Sequence, residues 1–113
     1  MDTRAWHLTA ADGTVLGRLD RVDTDAPWYP CRFTPADAFA PVAPLFGEEL
    51  TLLRRADWGA WDRAYARLEA LGLELRPADG GAEPPLHDFI LHIEEGRAWF
   101  RWSVHEAGLA CST

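Results

Sequence analysis

Histidine and cysteine, the side chains that most often bind metals or catalyse reactions, are few in this chain and poorly spaced for either task. The histidines are His7, His87, His92 and His105, and the cysteines are Cys31 and Cys111. A zinc site needs three or four ligands that converge within bonding distance, and no H-x-x-x-H or C-x-x-C spacing occurs. We therefore predict no metal site and no cofactor. Two alternatives stay open: His87-Asp88 meeting His105-Glu106, and a weak divalent-cation site at Asp20, Asp23 and Asp25.

Nucleophilic catalysis also lacks a suitable residue. Ser103 and Ser112 are the only serines, and neither lies in a G-x-S-x-G turn. Cys31 precedes Arg32, and an arginine can lower the pKa of a thiol. A strand cysteine beside Phe33 is nevertheless more typical of a small core residue. No phosphate loop or dinucleotide fingerprint occurs, so the sequence favours a binding protein over an enzyme and predicts no catalytic residue.

Acidic side chains outnumber basic ones by 18 to 11, which gives a net charge of −7. Binding to nucleic acid requires a basic face, so nucleic acid is not an expected partner. The adjacent carboxylates Glu48-Glu49 and Glu94-Glu95 are predicted to lie in water, on a helix surface and at a turn respectively. Every basic residue is an arginine, whose planar guanidinium binds carboxylates bidentately and stacks on aromatic rings.

Length and hydropathy indicate a single cytoplasmic domain. The 113 residues fit one domain over residues 1–113. The N-terminal residues lack the apolar stretch of a signal peptide, and no run approaches the ~18 apolar residues of a membrane span. Two cysteines are too few for a disulfide framework. We expect a cytoplasmic protein with reduced cysteines and no membrane contact.

The first third of the chain predicts strands. Asp12-Gly13 is a two-residue turn signal inside an alternating segment, residues 5–22, which predicts a hairpin. The turn predicts three cross-strand pairs: Trp6 with Leu19, Leu8 with Gly17, and Ala10 with Val15. Residues 23–33 are predicted to form an edge strand or an extended loop, because Pro27 and Pro30 cannot donate ladder hydrogen bonds. Cys31 and Phe33 alternate there and are predicted to point inward.

The middle of the chain predicts helices. Thr34-Pro35 has the composition of a helix start, and two main helices are predicted over residues 44–55 and 57–71. The second helix carries one apolar stripe at steps of three and four, formed by Trp58, Trp61, Tyr65, Leu68 and Leu71. A short strand over 73–77 and a flexible loop over 78–88 follow.

The stretch from His87 to Glu106 predicts a second hairpin, with its turn at Glu95-Gly96. A two-residue turn pairs Glu94 with Arg97, His92 with Trp99 and Ile90 with Arg101. One face then carries the apolar side chains Phe89, Leu91, Ile93, Ala98, Phe100 and Trp102. The other face carries His92, Arg97, Trp99 and Arg101. A three-residue loop is the alternative, but it mixes apolar and polar side chains on both faces.

These elements predict an α+β domain in the order βββ-αα-βββ. We expect a mostly antiparallel sheet of about five strands, with the two main helices packed on one face. The other face is then open to water.

Six residues are candidates for binding a protein partner. His92, Arg97, Trp99 and Arg101 lie on the predicted open face, and large aromatics beside arginines are typical of interface centres. Trp28 and Tyr29 lie between prolines and offer a second contact site. A structural interpretation stays open for both groups, since cross-strand pairs also stabilise sheets and Trp28 could cover the core.

Several segments together resemble a group of small uncharacterised proteins from GC-rich bacterial genomes. The segments are "DAPWYPCRF", "PLF", "WDRAYARLEALGLEL" and "FILHIEEGRAWFRW", which cover most of the chain. The resemblance implies no activity, cofactor or site residue.

We expect a non-enzymatic module that binds another protein through the open sheet face, for example an immunity-type protein or a pathway accessory protein. An acidic surface could pair with a basic partner and gain in association rate. The alternative is a small-molecule binder, or a minor enzyme, with a pocket between sheet and helices bordered by the loop over 78–88. A homodimer formed through the open face is a further possibility.

Overall fold

The computed structural model describes residues 4–23, 28–78 and 84–102. Within them lie six strands, a 3₁₀ turn and two α-helices. The elements, in chain order, are β1 (Ala5–Thr9), β2 (Val15–Arg21), β3 (Trp28–Pro35), the 3₁₀ turn (Asp37–Phe39), α1 (Ala43–Arg54), α2 (Trp58–Glu69), β4 (Glu74–Pro77), β5 (Phe89–Glu94) and β6 (Arg97–Trp102). Asp25, Pro27, residues 79–83 of the predicted loop over 78–88, His105 and Cys111 lie outside the described residues.

The strands form one antiparallel sheet in the order β4–β1–β2–β3–β6–β5. The sheet curls, because Leu75 at one edge forms an isolated antiparallel bridge with Leu86, just before the strand at the other edge. The α+β class is therefore confirmed, with three strands before the helices and three after them. The sheet has six strands where we expected about five.

The core fills the concave side of this curl, which we call the inner face. Trp6, Leu8 and Leu19 are buried there with Leu91 and Phe100. The ring of Trp6 meets Phe100 edge to face, with centroids 5.1 Å apart. Alternation along each strand sends every second side chain to this face, and the remaining side chains form the outer face.

The register of the last hairpin is confirmed. β5 pairs with β6 as Glu94 with Arg97, His92 with Trp99 and Ile90 with Arg101. Glu95 and Gly96 form the turn, and both have a positive φ, 45° and 78°. Such a turn is costly for a glutamate, but the opposite register would expose Leu91 and Phe100, so burial decides the pairing.

The first hairpin is confirmed in part. Trp6 pairs with Leu19, and Leu8 pairs with Gly17. A β-bulge between Leu8 and Thr9 then shifts the register, so Val15 pairs with Thr9 and the predicted pair with Ala10 is wrong. A bulge of this kind inserts one extra residue into one strand, which the alternation of apolar residues did not reveal.

The position of β3 corrects the prediction of an edge strand, since β3 lies between β2 and β6. The carbonyl of Pro30 accepts a hydrogen bond from Val22, just past the end of β2. In an antiparallel strand the N and O of one residue point to the same neighbour. The missing N–H of Pro30 therefore points towards the end of β2, and pairing with β6 continues past it. Cys31 and Phe33 are buried on the inner face, as predicted.

Both main helices are confirmed within a few residues, but two details differ from expectation. Thr34 and Pro35 belong to β3, and only the 3₁₀ turn at Asp37–Phe39 follows them. In the stripe of α2, Tyr65 and Leu68 are buried, whereas Trp58 is 58% exposed. Trp58 occupies the first position of the helix, where a side chain extends beyond the packed surface.

The helices lie against the free edge of β5. The hydroxyl of Tyr65 donates to the carbonyl of Phe89 (3.3 Å) and accepts from the N–H of Leu91 (2.9 Å). One side chain of α2 thus satisfies two backbone groups of an edge strand, which protects that edge from further strand pairing. α1 packs on both α2 and β5. Among the described residues, no helix is long and apolar enough to cross a membrane.

Candidate functional site

The outer face of strands β2, β3, β6 and β5 carries most of the predicted binding residues. Trp28, Trp99 and Arg101 are half-buried there, and Arg97 is exposed. Trp99 lies opposite both Pro30 on β3 and His92 on β5. The pairing of β3 with β6 therefore joins residues from the two predicted contact sites on one surface.

His92 corrects the expectation of an open side chain, because only 3% of this residue is exposed. Its Nδ1 and Oε1 of Glu49 form a hydrogen bond of 2.9 Å. Nε1 of Trp61 donates to the other oxygen, Oε2, at 2.7 Å. The carboxylate thus joins α1, α2 and β5 in one network.

Glu49 is itself fully buried, although the sequence analysis placed it in water with Glu48. The helical spacing carried the signal, because Glu49 follows Leu45 by four positions and Phe46 by three, on the side of α1 that meets the core. An acid at an apolar position of a helix calls for a donor on a neighbouring element. Glu48 is solvated as predicted, and pairs with Arg67 at 2.6 Å.

Aromatic rings complete the surroundings of His92. Its ring centroid lies 5.7 Å from that of Trp28 and 5.5 Å from that of Trp99. A histidine beside a carboxylate can act as a general base, but a ring this enclosed offers a substrate little access. The Glu49–His92–Trp61 network is therefore better suited to holding α1 and α2 on the sheet.

Tyr29 does not join this surface. It points to the inner face, where its ring lies 5.2 Å from that of Phe100. Neighbouring residues of a strand point to opposite faces, so Trp28 and Tyr29 do not form the joint contact site that we expected.

An open groove of about 600 Å³ lies beside Trp99, and we call it the arginine groove. Its lining includes Val22, Pro30, Arg32, Arg54, Arg97 and Trp99. Arg32 and Arg97 are exposed and are direct cross-strand partners on β3 and β6. Arg32 was missed by the sequence analysis, because alternation does not show that β3 and β6 are neighbours. Arg54 was missed, because its place beside Glu94 depends on the packing of α1 on β5.

A second cavity of about 510 Å³ lies between α2 and the start of β5. It is lined by Tyr65, Glu69, Leu73, His87, Asp88, Phe89, Ile90 and Arg101. Its position matches that of the pocket in the small-molecule alternative. Burial raises the pKa of the Tyr65 hydroxyl in this cavity, against a smaller lowering by the hydrogen bond from Leu91, so Tyr65 stays protonated at neutral pH.

Among the residues that the structure describes, the geometry supports neither nucleophilic nor metal chemistry. Burial raises the pKa of Cys31 to about 12, so its thiol stays protonated at neutral pH. Within residues 4–23, 28–78 and 84–102, no group of three His, Cys, Asp or Glu side chains is placed to hold a metal ion.

Comparisons with protein-family models, with curated proteins and with solved structures found no match for this chain.

Proposed function

We propose that the protein is a non-enzymatic binding module that recognises another protein through the outer face around Trp99. The supporting observation is the arginine groove, where a half-buried tryptophan lies beside the exposed side chains of Arg32 and Arg97. Interface centres are enriched in tryptophan and arginine, which contribute most of the binding energy when they become desolvated.

Two further features support a binding role over a purely structural one. The structural needs of this region are met by Glu49, which links Trp61 to His92, the cross-strand partner of Trp99. Trp99 also lies on β6, an interior strand of the sheet, and such a strand presents a rigid platform. A preorganised platform loses little entropy when a partner binds.

The experiment is a comparison of two tryptophan variants in host extract. Immobilised wild-type protein, Trp99→Ala and Trp58→Ala are incubated with extract, and the retained proteins are quantified by mass spectrometry. Trp58 is a matched control, because it is an exposed tryptophan on α2, away from the groove. We expect a protein that wild type and Trp58→Ala retain and Trp99→Ala does not. Its affinity, measured with purified components, should fall by about tenfold or more in Trp99→Ala.

Two outcomes would contradict the proposal. Retention that is equal in all three proteins would place binding elsewhere. A dimer of the wild-type chain that light scattering detects and Trp99→Ala abolishes would make a second copy the occupant. Unfolding of each variant is measured in parallel, and a loss above ~2 kcal/mol for Trp99→Ala would identify Trp99 as a core residue.

The second candidate function is small-molecule binding in the cavity beside Tyr65. Its volume of about 510 Å³ lies in the range of ligand pockets, and its lining includes the charged groups of Glu69, Asp88 and Arg101. A fragment screen by NMR would test this candidate. Ligands that shift the signals of Ile90 and Tyr65 but not those of Trp99 would favour it over the protein-binding module.

A further inference from the structure

A row of four charged side chains crosses the outer face from β2 to β5. Cross-strand pairing places Asp20 opposite Arg32, Arg32 opposite Arg97, and Arg97 opposite Glu94. Both arginines lie in the middle of the row and both acids at its ends. Like charges directly opposite each other destabilise a sheet, so the centre of this row is unfavourable for the isolated fold.

The two acids at the ends form ion pairs with other arginines. Nε of Arg18 lies 3.0 Å from Oδ1 of Asp20. Arg54 donates to both oxygens of Glu94, at 2.7 and 2.8 Å. These hydrogen bonds hold the pKa of Glu94 below its usual value, with a smaller contribution from Arg97. Within the described residues, no acidic oxygen lies within ion-pair distance of Arg32 or Arg97.

The charge of this region is opposite to that of the whole chain. Four arginines and two acids meet here, which leaves an excess of positive charge in a protein of net charge −7. An external anion would relieve the repulsion between Arg32 and Arg97. Two guanidinium groups on neighbouring strands suit a carboxylate, which accepts hydrogen bonds from more than one donor.

The row next to these arginines is apolar. Pro30 and Trp99 are cross-strand partners, and Val22 follows them at the end of β2 with 58% of its surface exposed. The arginine groove therefore combines a cationic side with an apolar floor. A ligand that fills both carries a carboxylate beside an aliphatic or aromatic group. A nucleic acid is disfavoured, because the net charge of the chain repels a long polyanion.

We propose that the arginine groove binds an exposed segment of a partner protein in which an aspartate or glutamate adjoins an apolar residue. The carboxylate binds Arg32 and Arg97, and the apolar side chain packs on Pro30 and Trp99. This inference rests on the proposed protein-binding function and specifies the chemistry of the partner.

The test is a selection from a random heptapeptide phage library on the immobilised protein. We expect the selected peptides to be enriched in an acidic residue next to an apolar one. Synthetic versions should lose affinity by about tenfold or more when the acid is changed to its amide, because a charge-assisted hydrogen bond is lost. Their affinity should also fall with added salt.

Variants of the protein locate the site. Arg32→Thr/Arg97→Thr should lose the selected peptides, whereas the control Arg55→Ala/Arg63→Ala removes the same charge from exposed positions on the helices and should retain them. Circular dichroism and melting curves verify that both variants fold. Equal binding by both variants would overturn the inference, as would a selection that yields no acidic peptides or none at all.

The outcomes separate this inference from the proposed function. Selected peptides that lack acidic residues but still require Trp99 for binding would contradict this inference and still support the proposed protein-binding function. Peptides that bind Trp99→Ala as well as wild type would contradict both. Benzoate is titrated as a free carboxylate with an aromatic ring, and binding of benzoate at peptide-like affinity would overturn the need for a peptide backbone.

Discussion

Two neighbouring regions of the outer face differ in whether their polar side chains find partners within the chain. Around His92, the fully buried side chain of Glu49 forms hydrogen bonds with β5 and α2. Two positions further along β5, the row that ends at Glu94 places two exposed arginines, Arg32 and Arg97, side by side. One region satisfies its polar groups internally, and the other leaves like charges facing each other.

This difference in hydrogen bonding bears on the role of each region. Burying an acid is tolerated only when its oxygens find donors, so the network around Glu49 serves the fold. Two exposed arginines need no partner within the chain, because water solvates them. Their mutual repulsion destabilises the fold slightly and contributes nothing to it. Departures from stabilising patterns are expected at functional sites. The comparison therefore assigns stability to the Glu49 region and supports the recognition role that we propose for the arginine groove.

Replacing Glu49 tests the first half of the comparison, and we expect the largest effect there. Glu49→Ala leaves the Trp61 N–H and the buried His92 ring without their hydrogen-bond partner. Removing one member of a buried network leaves its partners unsatisfied and costs about 3–5 kcal/mol. Urea unfolding of the variant measures the loss. Glu48→Ala is the control, since Glu48 forms an exposed ion pair with Arg67, and its cost should stay below ~1 kcal/mol.

A small loss for Glu49→Ala would contradict the structural assignment. If the variant is within ~1 kcal/mol of wild type, the network does not hold the helices on the sheet. The buried acid would then require another explanation, and the distinction between the two regions would fail.

Tyr65→Phe tests how the helices protect the sheet edge. The change removes one hydroxyl that serves both Phe89 and Leu91, and leaves a buried backbone N–H without a partner. We expect a loss of about 1–3 kcal/mol. Amide hydrogen exchange should quicken at Leu91 more than at Ile90, whose N–H points towards β6. Equal exchange at both amides would show that the edge opens independently of Tyr65.

The sequence was sufficient for features that depend on neighbouring residues. The register of the last hairpin was predictable, because only one pairing places Leu91 opposite Phe100 and Ile93 opposite Ala98. The bulge at Leu8 and Thr9 was not, because an inserted residue leaves the alternation on each side intact.

The candidate site depends on contacts that are distant in sequence, and the sequence revealed it incompletely. Trp99 and Arg97 were found from alternation within one hairpin. Arg32 was missed, because its meeting with Arg97 requires β3 to pair with β6 across more than sixty positions. From the sequence alone, Pro30 is evidence against an interior strand. Pro30 is tolerated there because its missing N–H points towards the end of β2, where pairing stops.

Alkaline pH tests whether the inner face beneath the groove is closed to water. Burial raises the pKa of Cys31 from 9.0 to about 12. The folded state keeps its proton to higher pH than the unfolded state, so the stability from this group is complete below pH ~9 and is lost as the pH rises towards ~12. Between pH 8 and 10 wild type should lose about 1 kcal/mol more than Cys31→Ala, both measured in a Cys111→Ser background. Parallel slopes would show that water reaches the thiol.

Arg32→Thr tests the second half of the comparison, and we expect the smallest effect there. A threonine suits an exposed strand position, and the change removes a like charge opposite Arg97. The free energy of unfolding of the variant should therefore be within ~0.5 kcal/mol of the wild-type value, or slightly higher. Melting temperature and urea unfolding measure the change.

Salt gives the same test a second readout. Added salt screens the repulsion between Arg32 and Arg97, so wild type should gain more stability from moderate salt than Arg32→Thr gains. A loss above ~1 kcal/mol in the variant would mean that Arg32 has a partner within its own chain. In that case the row of charges would stabilise the fold, as the network at Glu49 does. Arg32 would then already be paired and would not be available to bind an external anion.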